Sequence, residues 1–462
     1  MSTERKSIAV IGGGFSGSLL AIHLLRRLPP DCRVHLLERR SGFGTGMAYS
    51  TGNPNHLLNV PAGRMSAFHD APDDFVRWLA RQPDVPAEMA RSDAFVSRGL
   101  FGRYVQSLLA QQLGPEAGNR NLYLFPDEAV GLTQTASGIV IATASGRPLS
   151  VDAAVLAVGN FPPESPPIDP DIYDSKRYIA DPWDDAALSA IPPGSHVLVI
   201  GSGLTMVDLV ITLRDKGHEG VITALSRRGL LPHRHVGPLP VKEPYADPSR
   251  MSGLLREIRN AIARDTAEYG DWRSTIDGLR PHLQRWWLQL PDAEKRRFLR
   301  HLRPWWDIHR HRLAPPVAAR IDALIDGGLL TVLGGYLQSM SMANNLIEVT
   351  YKPRGKAETQ VLRVGHIVNC SGPASDYSRI RHPLIRGLLD AGAIRPDPYK
   401  LGLDVDEELH VIDAEGRANA RLYAVGPITR GRYWEVTAVP EIRRQTEELA
   451  AQMAEQFCAV KA

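Results

Sequence analysis

Two glycine turns in this chain have the residues to hold a dinucleotide. Gly12-Gly13-Gly14-Phe15-Ser16-Gly17 follows an apolar run at 7–11, and Gly201-Ser202-Gly203-Leu204-Thr205-Met206 follows another at 196–200. In each, glycine permits the tight turn after a strand and lets the backbone approach a pyrophosphate. The helix that starts at Phe15-Ser16, or at Leu204-Thr205, then points its N–H groups at the phosphates. One Gly-x-Gly-x-x-Gly arises by chance. Two, each between a strand and a helix and each followed by a second strand, imply two dinucleotides and redox chemistry between them.

The two turns differ. The first has its third glycine, Gly17, and its second strand ends in Glu38. A carboxylate there accepts hydrogen bonds from ribose hydroxyls and repels a 2′-phosphate, which suits FAD or NAD. The second has Met206 at the third position, and its second strand ends in Ser226-Arg227-Arg228. Loss of the carboxylate and gain of guanidinium groups is the charge logic of 2′-phosphate recognition, so NADPH is expected there. The alternative is that Arg227 and Arg228 are solvated strand-end charges. Gly159 and Gly372 close later strands, as expected where the chain passes between two such units.

These turns need a scaffold. The 462 residues, 43% hydrophobic and 23% charged, suffice for two or three domains, and the net charge of +3 is too small to indicate a nucleic-acid partner. No apolar run approaches the ~20 residues of a membrane span. The first strand begins close to the N-terminus, leaving no room for a signal peptide, so a cytoplasmic location is expected. Cys32, Cys370 and Cys458 form no Cys-x-x-Cys pair, which argues against a dithiol redox centre.

The patterning predicts an α/β fold with two Rossmann-like dinucleotide-binding domains and a helical, Trp-rich insert. Residues 1–190 form the first part of the FAD domain, with a proline-rich connector at 162–193. Residues 191–335 form the NADPH domain, interrupted by the insert at about 238–314. Residues 336–462 complete the FAD domain. Five of the eight tryptophans (Trp272, Trp286, Trp287, Trp305 and Trp306) lie in the insert, as a wall over a pocket or as helix-packing core.

The segments at 44–50 (Gly44 to Ser50), 56–62 (His56 to Ala62), 199–208, 306–315 and 434–443 resemble bacterial FAD/NAD(P)-binding proteins of the flavin monooxygenase superfamily, over essentially the whole chain. Characterised members are similar to amino-acid N-monooxygenases that oxidise the amine of L-aspartate toward nitrosuccinate, and more distantly to ornithine and lysine N-hydroxylases. The resemblance implies FAD and NADPH as cofactors, and O₂ and a small amino acid as substrates. It implies oxygen transfer through a C4a-hydroperoxyflavin. It places His56, Asn59 and Arg64 near the flavin, with Ser66 as a further candidate and Met47, Met65 and Arg39 among the cofactor contacts. It also places the Val130 backbone at the adenine and the Gly426 turn beside the flavin. Pro427 stands where many flavoproteins carry Asp. The linker at 173–183 lacks the histidine of Baeyer–Villiger relatives.

His56, Asn59 and Arg310 are the catalytic candidates; His56 could instead be structural. Substrate candidates are His233, Arg234, His309, Arg312, Trp434 and Glu435. Arg310 and Arg312 would clamp carboxylates, or else form structural salt bridges. His309 and His311, two apart on a helix, do not make a metal site, so none is expected. Two other readings stay open: an NADPH-dependent flavin oxidoreductase without oxygen insertion, and a non-enzymatic FAD-binding redox sensor.

Overall fold

The computed structural model describes residues 6–40, 42–113, 121–167, 169–237 and 250–459. Two sheets carry the two glycine turns. The first has six strands in the order His410–Ile412, Ala418–Ala424, Ala153–Leu156, Ser7–Ile11, Arg33–Leu37 and Leu122–Phe125. All pairs are parallel except the His410–Ile412 edge. Ile8, Ala9 and Val10 are completely buried, because a parallel strand between covered faces meets no water on either side. The helix Phe15–Arg27 packs on the C-terminal helix Val439–Ala459, which covers this sheet.

The second sheet has seven strands: Gln360–Val364, Leu346–Pro353, Leu330–Ala343, Ile222–Ser226, Val197–Ile200, His366–Asn369 and Tyr178–Ile179. This differs from the sequence reading in two places. The connector contributes Tyr178–Ile179, which pairs in parallel with His366–Asn369 at the sheet edge. The strand Leu330–Ala343 starts parallel to Ile222–Ser226 and runs on into an antiparallel hairpin with Leu346–Pro353. The chain therefore stays in the second sheet until Asn369, whereas the expected boundary was at 335. A small antiparallel sheet of Ala129–Gln134, Ile139–Thr143 and Leu149–Val151 flanks the first unit.

The insert is helical from Met251 to Arg310 among the described residues; 238–249 lie outside them. Two of its tryptophans serve packing. Trp286 packs with Met251, Leu254, Ile276 and Leu279 in the insert's own core. Trp287 stacks on Trp434 with ring centroids 4.9 Å apart, which docks the insert onto the segment after Gly426.

Candidate active site

The first turn is roofed. A Cβ on Gly12 (φ +111°) would collide with the Ala157 carbonyl oxygen, and one on Gly17 with the Gly12 carbonyl oxygen, so strand and helix approach as closely as backbones can. Gly44 donates its N–H to the Gly13 carbonyl oxygen at 2.7 Å, and Gly46 Cα would lie 3.3 Å from a Cβ on Gly14. The Gly426 turn closes the other side, near Ser16. The Glu38 carboxylate is buried; Oε2 accepts from Gly13 N–H at 2.9 Å and Oε1 from Arg40 N–H at 3.0 Å.

Beside Glu38 lies a cavity of about 70 Å³, lined also by Gly12, Arg39, Ala129 and His382. His382 Nε2 meets Glu128 Oε1 at 2.8 Å, while its Nδ1 is buried with no hydrogen-bond partner. An orphaned ring nitrogen facing a carboxylate-lined cavity fits the ribose and base of a bound nucleotide. Ala129, one residue before Val130, supplies the wall where Val130 was expected.

The second turn is open. A Cβ on Gly201 (φ +116°) would collide with the Cys370 carbonyl oxygen, but one on Gly203 would meet nothing within 4 Å. Met206, in place of the third glycine, is completely buried. Gly201, Gly203, Leu204, Thr205, Ser226 and Arg227 line a cavity of about 590 Å³; Gly372 lines it beside Gly201, and Gly159 and Pro427 line it from the first unit. Ser226 is held by the Gly229 N–H at 3.0 Å, so Arg227 is the group presented to the cavity. Arg228 turns away: its guanidinium sits 6.0 Å from the Trp305 ring centroid and donates to the His301 carbonyl oxygen at 3.4 Å. An open glycine at a helix N-terminus, with one guanidinium at the strand end, fits a phosphorylated dinucleotide.

Several candidate residues hold the two units together instead of lining this cavity. His56 is buried; Nδ1 lies 2.8 Å from Thr51 Oγ1, and Nε2 lies 2.8 Å from Thr212 Oγ1 and 3.1 Å from the Asp208 carbonyl oxygen. Burial lowers its pKa. Both nitrogens are thus spent on joining the first unit's loop to the second unit's first helix, the structural role weighed for it. Arg98 reinforces the joint, donating to Asp208 Oδ2 at 2.6 Å. Met47 lines a separate cavity with His56. The Asn59 carbonyl oxygen accepts from His235 Nε2 at 2.9 Å. Met65 is core, and Arg64 is exposed.

The expected carboxylate clamp is already filled. Arg312, 2% exposed, makes a bidentate pair with Asp277 at 2.9 and 3.2 Å and donates Nε to the His309 carbonyl oxygen. Arg310 Nε lies 3.1 Å from Glu435 Oε2, and Trp306 Nε1 donates to Glu435 Oε1 at 2.9 Å. Arg312 is a buried structural partner of Asp277; Arg310 and Glu435 are at ion-pair distance in the packing between insert and C-terminal segment, with Arg310 Nη2 left without a hydrogen-bond partner. His233 and His309 pack ring to ring at 4.7 Å beside Trp272, and Arg234 is exposed. Trp434 is buried between Trp287 and Phe298.

The residues that do reach the large cavity from the insert are Arg303, Asp307 and His311, facing Arg430. The sequence candidates Arg310 and Arg312 belong to the same segment but are not among the cavity's lining residues. His311 and His309 do lie on different sides of this helix end, as expected. Cys370 lines the cavity, and burial pushes its thiol pKa up; Cys32 is also buried and free.

Two nucleotide-binding units on separate sheets, sharing one cavity, define a two-dinucleotide flavoprotein fold. Residues 9–161 match the FAD-NAD(P)-binding family model. The nitrosuccinic acid synthase npaA of Aspergillus oryzae is 29% identical over 195 residues, 40% of this chain and 26% of that protein. The nitrosuccinate-forming L-aspartate N-monooxygenase of Streptomyces cremeus is 29% identical over 210 residues, 42% of this chain and 28% of that one. The chain thus aligns with about a quarter of the length of these curated relatives. An ornithine N-hydroxylase of Kutzneria sp. 744, solved with reduced FAD, NADP⁺ and L-ornithine, shares the fold with a TM-score of 0.65. That match covers 99% of this chain and 100% of that one at 14% identity. No helix among the described residues is long and apolar enough to cross a membrane.

Proposed function

We propose that this protein is an FAD-dependent, NADPH-consuming monooxygenase that oxygenates the amine of a small amino acid of the L-aspartate type. One observation carries the reading: a single cavity of about 590 Å³ joins the second glycine turn to Gly159 and to the Pro427 turn of the first unit. A nicotinamide held by the second unit and a flavin held by the first would meet there. The likeness to two nitrosuccinate-forming enzymes supports an amine as the group oxidised.

Each part of the chain then has a task. Gly12, Gly14, Gly17 and the helix start at Phe15-Ser16 would hold the FAD pyrophosphate, Glu38 its ribose, and the Gly426 turn its ring end. Gly201, Gly203 and Thr205 would hold the NADPH pyrophosphate, and Arg227 its 2′-phosphate. Bound flavin supplies the passage of electrons from nicotinamide to O₂. The insert helix carrying Arg303, Asp307 and Ile308 would wall the cavity from bulk water, which protects reactive oxygen species from wasteful breakdown. No side-chain nucleophile is called for. The single cavity cysteine, Cys370, has no thiol partner among the described residues, so disulfide exchange is not supported.

The test is NADPH oxidation by the FAD-loaded protein across the common amino acids, with mass spectrometry of the products. Gain of oxygen on an amine is expected. Peroxide formation that ignores every amino acid would overturn the reading.

A further inference from the structure

The helix Arg303–Arg310 presents Arg303, Asp307 and Ile308 to the nucleotide cavity, which Arg430 also lines. Outside the cavity lining, Arg310 and Arg312 lie at ion-pair distance from Glu435 and Asp277. Within the cavity lining, Asp307 has only Arg303 at 3.6 Å, and Arg430 has no carboxylate at ion-pair distance among the described residues. We propose that these two residues are the substrate-binding pair, with Arg430 receiving a carboxylate and Asp307 the amino group of the amino acid. This rests on the reading of the cavity as an amine-oxygenating site.

Arg430 is fixed by its neighbours. Its Nε donates to the Trp434 carbonyl oxygen at 3.3 Å, and its guanidinium carbon lies 4.4 Å from the Trp434 ring centroid. That leaves the terminal nitrogens for the cavity it lines. Among the described residues no carboxylate pairs with it at ion-pair distance, whereas Arg303 beside it lies 3.6 Å from Asp307 Oδ2. Burial, with Arg303 nearby, lowers its pKa to about 10, so the cation has lost solvation that a carboxylate would replace. A planar fork laid flat on an indole is preorganised for bidentate carboxylate binding.

Asp307 has the complementary deficit. Its Oδ1 is buried and has no hydrogen-bond partner, and Oδ2 lies 3.6 Å from Arg303 Nε, beyond a good hydrogen bond. Burial raises its pKa. A substrate ammonium would satisfy the orphaned oxygen. His311, in the same cavity, is kept neutral by burial, with a pKa lowered to about 3, and so does not repel an ammonium. The charges facing the site are Arg303, Arg430 and Asp307; Arg310 and Glu435 behind it offset each other. Both proposed residues share the cavity with Gly203 and Pro427, which places an amine bound there among the nucleotide-binding elements.

The test is calorimetric binding to the oxidised, FAD-loaded protein, which needs no turnover. The probes are L-aspartate and succinate, the latter lacking the amine. Arg430→Met keeps the aliphatic stem on Trp434 and should weaken both ligands by about 10-fold or more, the value of a charge-assisted pair. Asp307→Asn should weaken L-aspartate but leave succinate within about 2-fold. Arg430→Lys, with charge but no fork, should fall between wild type and Arg430→Met. FAD content and melting temperature show that each variant is folded. Equal affinities in wild type and folded variants, or no binding of either ligand to wild type, would overturn the assignment. Wild type that binds L-aspartate through these residues yet forms no oxygenated product would overturn the proposed function and leave the binding pair standing.

Discussion

The two glycine turns share a strand-turn-helix plan and differ in what stands over them. At the first, the loop at 44–46 reaches Gly13 and Gly14, and the carboxylate of Glu38 is buried against the turn. At the second, Gly203 faces open space and Arg227 is exposed at the cavity edge. A roofed turn suits a nucleotide that stays, and an open turn suits one that arrives reduced and leaves oxidised. The same backbone motif therefore serves as an anchor in one place and a landing site in the other.

The strongest way to break this contrast is Gly17→Val against Gly203→Ala. The first drives a side chain into the Gly12 carbonyl oxygen, and no neighbour there can yield. It should abolish FAD retention, read as loss of flavin absorbance after gel filtration. The second adds a methyl in open space and should leave FAD content unchanged. Equal loss of FAD in both would mean the turns are not differently enclosed. Next in size is Arg227→Ala. Losing a charge-assisted phosphate contact should raise KM for NADPH by about 10–100-fold and leave KM for NADH nearly unchanged. Arg228→Ala, whose side chain docks on Trp305, should change neither by more than about 2-fold. Equal losses with both nicotinamides would remove the 2′-phosphate assignment.

A smaller effect follows from buried histidines in the first unit. Burial holds His23 and His35 neutral, with pKa values lowered to about 4. Unfolded histidine takes up its proton near pH ~6.5, while these do not while folded. The unfolded state thus binds more protons, and stability falls as pH drops from about 6.5 toward about 4. Melting temperature should decline over that window, with FAD release following unfolding. A flat profile would contradict it.

The two turns were legible in the sequence because glycine spacing and strand-end charge are local signals. The difference between Glu38 and Ser226-Arg227 needs only neighbours in the chain. The roof over the first turn was less accessible, since it depends on Gly44 meeting Gly13 across a loop. The second sheet's extent was misjudged because Leu330–Ala343 serves two pairings, parallel at its start and antiparallel at its end. In the insert, composition identified the segment and missed its orientation. Arg310 and Arg312 are as cationic as Arg430, and only packing shows that their charge is already matched. His382 carries no motif, and Asp307 lies in the 306–315 segment without having been singled out; their buried, partnerless atoms reveal them.

The most direct test of the anchor-and-landing contrast is to load the protein with FAD and NADP⁺, pass it through gel filtration, denature it, and quantify the released nucleotides. The account predicts FAD in equal proportion to protein and little or no NADP⁺. Retention of both nucleotides, or loss of both, would contradict it.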